Sequence, residues 1–216
     1  MNFAGTGYIT MPVTAFAAIS NEITISLWQN GGTVQPIACS IFNVDNGASP
    51  PVRILNAHLP WSSGSVIWDA GFSGTAYDRL TKAATAAQYK GQWNHWAFTK
   101  NAATGQMKIY YNGQLWTSAS GMTKPMSGVA RFNVGSGFSA TTPFGPSNFY
   151  NGMVDDFRIY NRVLTDNEIL TLAGVTIVPV DAASNLFKKN IPGQEVIDYK
   201  DFSIIADTWL ETLLWP

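Results

Sequence analysis

The stretch from Gly91 to Gly174 restricts the fold of this chain more than any other. It reads GQWNHWAFTK, then MKIYYNGQLW, then NGMVDDFRIYNRVLTDNEILTLAG. In three places apolar and polar residues alternate with the period of a strand. Trp93–Lys100 and Met107–Asn112 are separated by the polar, glycine-bearing NAATGQ and read as a hairpin. Met153–Tyr160 reads as a third strand. Thr165 with Glu168 three residues later forms the two halves of a capping box, which predicts a short helix beginning there. Further strands are expected near 2–11, 22–29, 37–43, 52–58, 65–70 and 129–135, with the others over 93–100, 106–112 and 151–160. Most are separated by turns containing Gly or Pro. Thr81–Lys90 lacks an apolar stripe and reads as a loop or a short helical turn. Regular short strands without helical patterns between them indicate an antiparallel sandwich.

The same residues resemble the laminin-G-like (concanavalin A-like) lectin/glucanase family. Its members show W-x-H-x-A-x-T, matched here by Trp93, His95, Ala97 and Thr99, and then a strand ending in N-G, here Asn112-Gly113. They continue with G-x-I-D-D-x-R-I-Y-N-R-x-L-x-x-x-E-I, which Gly152 to Ile169 follow closely. The opening MNFAGTGYITMP is similar to the family's first strand, with Ala4 and Gly7 where acidic residues are frequent, and ITISLWQN to its second. The resemblance covers about residues 1–175, with a less typical insertion over roughly 43–90. It implies an all-β, concanavalin A-like jelly-roll sandwich of two antiparallel sheets, followed by a short C-terminal helical appendage.

Past Gly174 the character changes. Residues 176–184 read as a linker. Residues 185–216 resemble a degenerate half-repeat of a bacterial dockerin, with Phe202, Ile205, Ala206 and Trp209 on one helical face. Aligning Ile197 with the apolar eighth position of a calcium loop leaves Asn190, Pro192 and Gln194 at the first, third and fifth, and Glu195 where glycine makes the sharp turn. Too few oxygen ligands remain for a hard cation. The tail therefore reads as metal-free, docking through Trp209 and Trp215. The strand-first N-terminus and this tail suggest a domain excised from a larger, multidomain secreted or cell-surface bacterial protein.

Composition narrows the function classes. Net charge is −1, so nothing electrostatic favours nucleic acid or an anionic membrane. No apolar run reaches the roughly 20 residues of a membrane span. The single cysteine, Cys39, excludes an internal disulfide and reads as a buried strand residue. Glucanases of this fold carry E-x-D-x-E on one strand, which places two carboxylates about 5 Å apart. That motif is absent, as is G-x-S-x-G. His95 reads as a hydrogen-bonded structural histidine. The chain is accordingly read as no enzyme; a divergent glycan-active enzyme is the least favoured alternative.

Two sets of candidate site residues remain. Asp155 and Asp156 stand where the resembling family often holds a calcium ion with backbone oxygens of the opening strand, so a structural calcium is implied there. As neighbours on a strand, their side chains are expected on opposite faces. The second set lies in the atypical insertion, Arg53 to Leu80. Sugars offer apolar C–H faces and a rim of hydroxyls, and their sites combine aromatic platforms with planar charged or amide groups. Trp61, Trp68, Asp69, His58, Tyr77 and Arg79 supply both kinds of group. The resulting expectation is a non-catalytic, lectin-like module that binds a polysaccharide or glycan. Its rival is an adhesion or structural module that meets another protein.

Overall fold

The computed structural model describes residues 1–175 apart from 17, 18, 74, 75, 140 and 142. The linker and dockerin-like tail expected over 176–216 lie outside the described residues. In chain order the elements are β1 (Asn2–Ala4), β2 (Ile9–Thr10), a 3-10 turn (Val13–Phe16), β3 (Glu22–Gly31), β4 (Phe42–Asp45), β5 (Arg53–His58), β6 (Ser65–Ser73) and β7 (Ala76–Ala83). Then follow α1 (Ala86–Tyr89), β8 (Asn94–Asn101), β9 (Gln106–Tyr111), β10 (Gln114–Ala119), β11 (Arg131–Val134), β12 (Gly137–Phe138), β13 (Pro146–Ser147), β14 (Asn151–Tyr160) and α2 (Asp166–Leu172).

Two six-stranded antiparallel sheets face each other. One has the order β1-β14-β3-β8-β9-β10 and the other β2-β11-β4-β5-β6-β7. The core between them is aromatic. Phe42 sits at its centre, with ring centroids 5.8 Å from Trp68, 5.9 Å from Phe98, 6.2 Å from Phe132 and 5.9 Å from Phe157. Strand alternation delivers these rings: Ile23, Ile25 and Leu27 of β3 and Trp96 and Phe98 of β8 point inward from one sheet. Phe42 and Val44, Leu55 and Ala57, Trp68 and Ala70, and Phe132 and Val134 do so from the other.

Several sequence expectations hold. β8 and β9 pair as the expected hairpin, and β14 spans the expected residues. Thr165 Oγ1 accepts from Glu168 N while the Glu168 carboxylate accepts from Thr165 N, closing the capping box of α2. Others need correction. The opening strand is two strands in different sheets, because Gly5, at φ +83°, breaks the extended path. The strand expected over 37–43 forms at Phe42–Asp45. Thr81–Lys90 divides between the end of β7 and the short α1. β10 was not expected. The two-residue turn Asn112-Gly113, both with positive φ, folds it back on β9.

The outer faces of the two sheets are treated differently. Leu164 and Ile169, beside and within α2, cover part of the first sheet by packing with Ala97 and Tyr110. The small β12–β13 hairpin lies against the outer face of the second sheet, with Phe138 over the Arg131 guanidinium. That second face carries the candidate site.

Candidate functional site

Each strand of the second sheet places a polar residue at one common register. Thr10 of β2 pairs with Asn133 of β11, Asn133 with Asn43 of β4, and Asn43 with Asn56 of β5. Asn56 pairs in turn with Asp69 of β6, and Asp69 with Arg79 of β7. The residues flanking Asn43, Asn56, Asp69 and Asn133 fill the core, so alternation turns this row outward. Asparagine is disfavoured in strands, yet the motifs F-N-V, L-N-A and F-N-V recur in β4, β5 and β11. Sequence reasoning missed this row, although three asparagines set between apolar strand residues were the signal available to it.

The row is closed in by its own surroundings. Asn43, Asn56, Asp69 and Asn133 are all buried. Thr10 Oγ1 donates to Asn133 Oδ1 at 3.2 Å, and Asn43 Nδ2 to Asp45 Oδ2 at 3.1 Å. Asn133 Nδ2 and Asn56 Oδ1 are buried with no partner among the described residues. Such atoms are uncommon, because leaving one unpaired costs about 1–3 kcal/mol. One is a donor and the other an acceptor, both in the row.

Beside the row lies a cavity of about 300 Å³ lined by Asn43, Asp45, Arg53, Phe72, Tyr77 and Phe138, among others. Asp69 is buried and gripped by Arg79 through two bonds, Nε to Oδ1 at 2.6 Å and Nη2 to Oδ2 at 2.8 Å. Arg53 Nη1 adds a third, to Oδ2, at 2.8 Å. The Asp69 contact raises the Arg79 pKa further above the ordinary guanidinium value. The Arg79 guanidinium lies 4.8 Å from the centroid of the Tyr77 ring and donates to Tyr77 Oη at 3.0 Å. On the other side of the row, His58 Nδ1 is 2.7 Å from Cys39 O. A carbonyl only accepts, so Nδ1 carries the proton and Nε2 accepts from Asn56 Nδ2 at 3.0 Å. The Trp61 ring meets the His58 ring edge to face at 4.4 Å.

The structure therefore brings five of the six insertion residues onto one face. Trp61, His58, Asp69, Arg79 and Tyr77 form a chain of contacts that passes through Asn56. Trp68 is not among them. It is fully buried in the inter-sheet core, and its indole donates to Thr99 O at 3.2 Å. The physical reason is alternation: Trp68 and Asp69 are consecutive on β6 and must face opposite ways. Asp78 also points away from the site, into a buried ion pair with Lys100.

Asp155 and Asp156 lie on β14 in the other sheet, and their expected opposition does not hold. A bulge between Asp155 and Arg158, with Asp156 at φ +47°, interrupts the alternation and leaves both residues exposed. Asp156 Oδ1 takes a 2.6 Å bond from Arg158 Nε, and Asp155 Oδ1 accepts from Asp156 N. Among the described residues no three His, Cys, Asp or Glu side chains gather as metal ligands. Two carboxylates, one already neutralised by arginine, do not by themselves fit a calcium ion that asks for six to eight oxygens.

Both histidines are buried neutral. Burial lowers each from 6.5 to about 4, and His95 is held by Ser26 Oγ at 2.8 Å. The unfolded chain takes up these protons below pH 6.5, whereas the folded chain resists until about pH 4. The stabilisation is complete above 6.5 and is lost as pH falls to about 4, by roughly 3 kcal/mol per histidine. Thermal midpoints measured across that window should fall steeply, and His95→Gln should flatten the curve. A level profile would contradict the neutral burial.

Comparison with known proteins agrees with the fold. A family model described as the concanavalin A-like lectin/glucanases superfamily matches residues 3–170. The chain belongs to that superfamily. No curated protein matches the sequence significantly. Among solved structures, the CBM40 of the Ruminococcus gnavus IT-sialidase bound to α2,3-sialyllactose superposes with a TM-score of 0.62. It is 17% identical, over 81% of this chain and 96% of that one. Domain 4 of a GH43 extracellular arabinanase from Geobacillus stearothermophilus, in complex with arabinotriose, gives 0.58 at 21% identity, over 80% of this chain and 75% of that one. A heptameric SAP-like pentraxin from Limulus polyphemus gives 0.55 at 16%, over 80% of each chain. At such identities the likeness speaks for the shared superfamily fold. Ligand and site must be argued from this chain's own residues.

Proposed function

We propose that this superfamily member is a non-catalytic carbohydrate-binding module whose site is the outer face of the second sheet. The observation that carries the reading is the cavity of about 300 Å³ in which Asn43, Asp45 and Arg53 meet Phe72, Tyr77 and Phe138. Its lining combines planar polar side chains with aromatic walls, beside the row of asparagines. Sugar hydroxyls would bond to the polar part of that lining, and Tyr77 and Trp61 would meet the apolar ring faces. Two of the similar solved structures hold a bound oligosaccharide, which agrees with this use of the fold.

Hydrolysis is disfavoured by the state of the carboxylates. Glycoside cleavage needs one carboxyl group to give a proton and a second to attack or to activate water. Asp45 and Asp69 are both buried and fully engaged by arginines, so neither is free for that work. An extracellular or cell-surface setting, within a larger chain, suits a module of this kind. Among the described residues no helix is long and apolar enough to cross a membrane. The contribution of calcium at Asp155 and Asp156 is open to the same experiment.

Affinity gels containing neutral and acidic polysaccharides, run with calcium and with chelator, test the reading. Retardation is expected. Trp61→Ala and Tyr77→Ala should each weaken it about tenfold while melting like the wild type. If the folded protein migrates freely through a broad panel, the adhesion reading takes its place.

A further inference from the structure

The hydrogen-bonding capacity of this face is unevenly spent. Five charged side chains surround the cavity and the polar row: Asp45, Asp69, Arg53, Arg79 and Arg131. Both carboxylates are engaged by arginine. Asp45 Oδ1 accepts from Gly47 N at 2.9 Å and from Arg131 Nη2 at 2.6 Å. Its Oδ2 accepts from Asn43 Nδ2 at 3.1 Å and from Arg131 Nε at 3.0 Å. Asp69 is held by Arg79 and Arg53 as described above. Three guanidinium groups against two carboxylates leave one positive charge uncompensated.

That surplus resides on Arg53. Arg131 and Arg79 are each bound to a carboxylate through two nitrogens, the arrangement that best neutralises a guanidinium. Arg53 shares Asp69 by one bond only, so among the described residues it uses one of its five N–H donors. Its side chain lines the cavity, with Pro51, Val52, Phe72 and Phe138 as apolar walls. The Tyr77 ring, with its centroid 5.6 Å from the guanidinium carbon, stands beside it. A half-buried cation beside apolar walls is poorly hydrated, and its planar fork matches an anion with paired oxygens.

We infer that the cavity takes an acidic sugar residue, bearing a carboxylate or a sulfate ester, with Arg53 as the anchor for its anionic group. The inference rests on the reading of this face as a glycan site and adds the ligand's chemical class. A neutral sugar would engage the same row but leave most of the Arg53 donors facing hydroxyls, which return less than an anion does.

Titration calorimetry with four probes tests it: oligogalacturonate, its carboxyl-reduced neutral counterpart, a sulfated galactan oligosaccharide, and a neutral arabinan oligosaccharide. At low salt at least one acidic probe should bind about tenfold more tightly than the neutral ones. That margin should shrink as salt rises. Carboxylate bound in preference to sulfate, or the reverse, assigns the anionic group, and either supports the inference. Arg53→Gln should abolish the margin without weakening the neutral probes to the same degree. Arg53→Lys should keep the salt-sensitive part. Equal binding of acidic and neutral probes by the wild type, or an undiminished margin in Arg53→Gln, would overturn the acidic ligand and leave the glycan reading standing. Silence with every probe from a folded protein would remove both. Should Arg53→Gln fail to fold, the wild-type margin and Arg53→Lys still decide.

Discussion

Trp68→Ala is expected to lower the stability of the domain by about 3–5 kcal/mol, as truncation of a large core aromatic generally does. The indole is fully buried, with its ring centroid 5.8 Å from that of Phe42 and 5.6 Å from that of Phe98. The truncation empties a volume that two sheets cannot easily collapse to fill, and it removes the bond from Nε1 to Thr99 O. Urea denaturation gives the number directly. Trp68→Phe, which keeps most of the volume, should cost well under half as much. A Trp68→Ala protein of nearly wild-type stability that had lost its ligand would restore Trp68 to the binding face and overturn the core assignment.

A loss of similar size is expected from Asp78→Ala. Lys100 is fully buried, and its ammonium is held by Asp78 Oδ2 and by Ala70 O, each at 2.6 Å. Burial lowers the Lys100 pKa, with Asp78 opposing that shift. Burial likewise raises the Asp78 carboxyl, but the hydrogen bonds from Lys100 and Lys124 outweigh it and hold the group below its ordinary value. Removing the aspartate strands a charged amine between the sheets, and breaking such a pair costs about 3–5 kcal/mol. The double variant Asp78→Leu with Lys100→Met removes both charges and should recover most of the loss. A double-mutant cycle with no coupling between the two positions would show that the pair contributes nothing specific.

Much of the fold was legible because the strongest strands alternate apolar residues aimed at the core with polar or small residues on the other face. β3, β8, β9 and β14 are of that kind, and Thr165 with Glu168 marked the helix by a purely local signal. β10 escaped because it is a largely exposed edge strand with no apolar face to reveal its period. β12 and β13, of two residues each, are too short to have a period at all.

The site was legible in part. Aromatic and charged residues in the insertion pointed to the second sheet, where the candidate site is proposed, but reading them as a compositional cluster ignored strand parity. Parity alone separates Trp68 from Asp69 and unites Asp69 with Arg79 across the β6–β7 pair. Arg131 and Asn133 were out of reach of such a reading. They come from a strand more than fifty residues downstream of Arg79, and only sheet order brings them alongside.

The division of the opening segment between the two sheets gives ten residues a protective role. β1 is an outermost strand of one sheet and β2 of the other, on a single run of chain. Together they screen the hydrogen-bonding edges of β14 and β11, which would otherwise offer unpaired N–H and C=O groups to any strand of another molecule. Fraying of this one segment bares two such templates at once. Each sheet then has two open edges instead of one, since β10 and β7 are the outermost strands on the opposite sides.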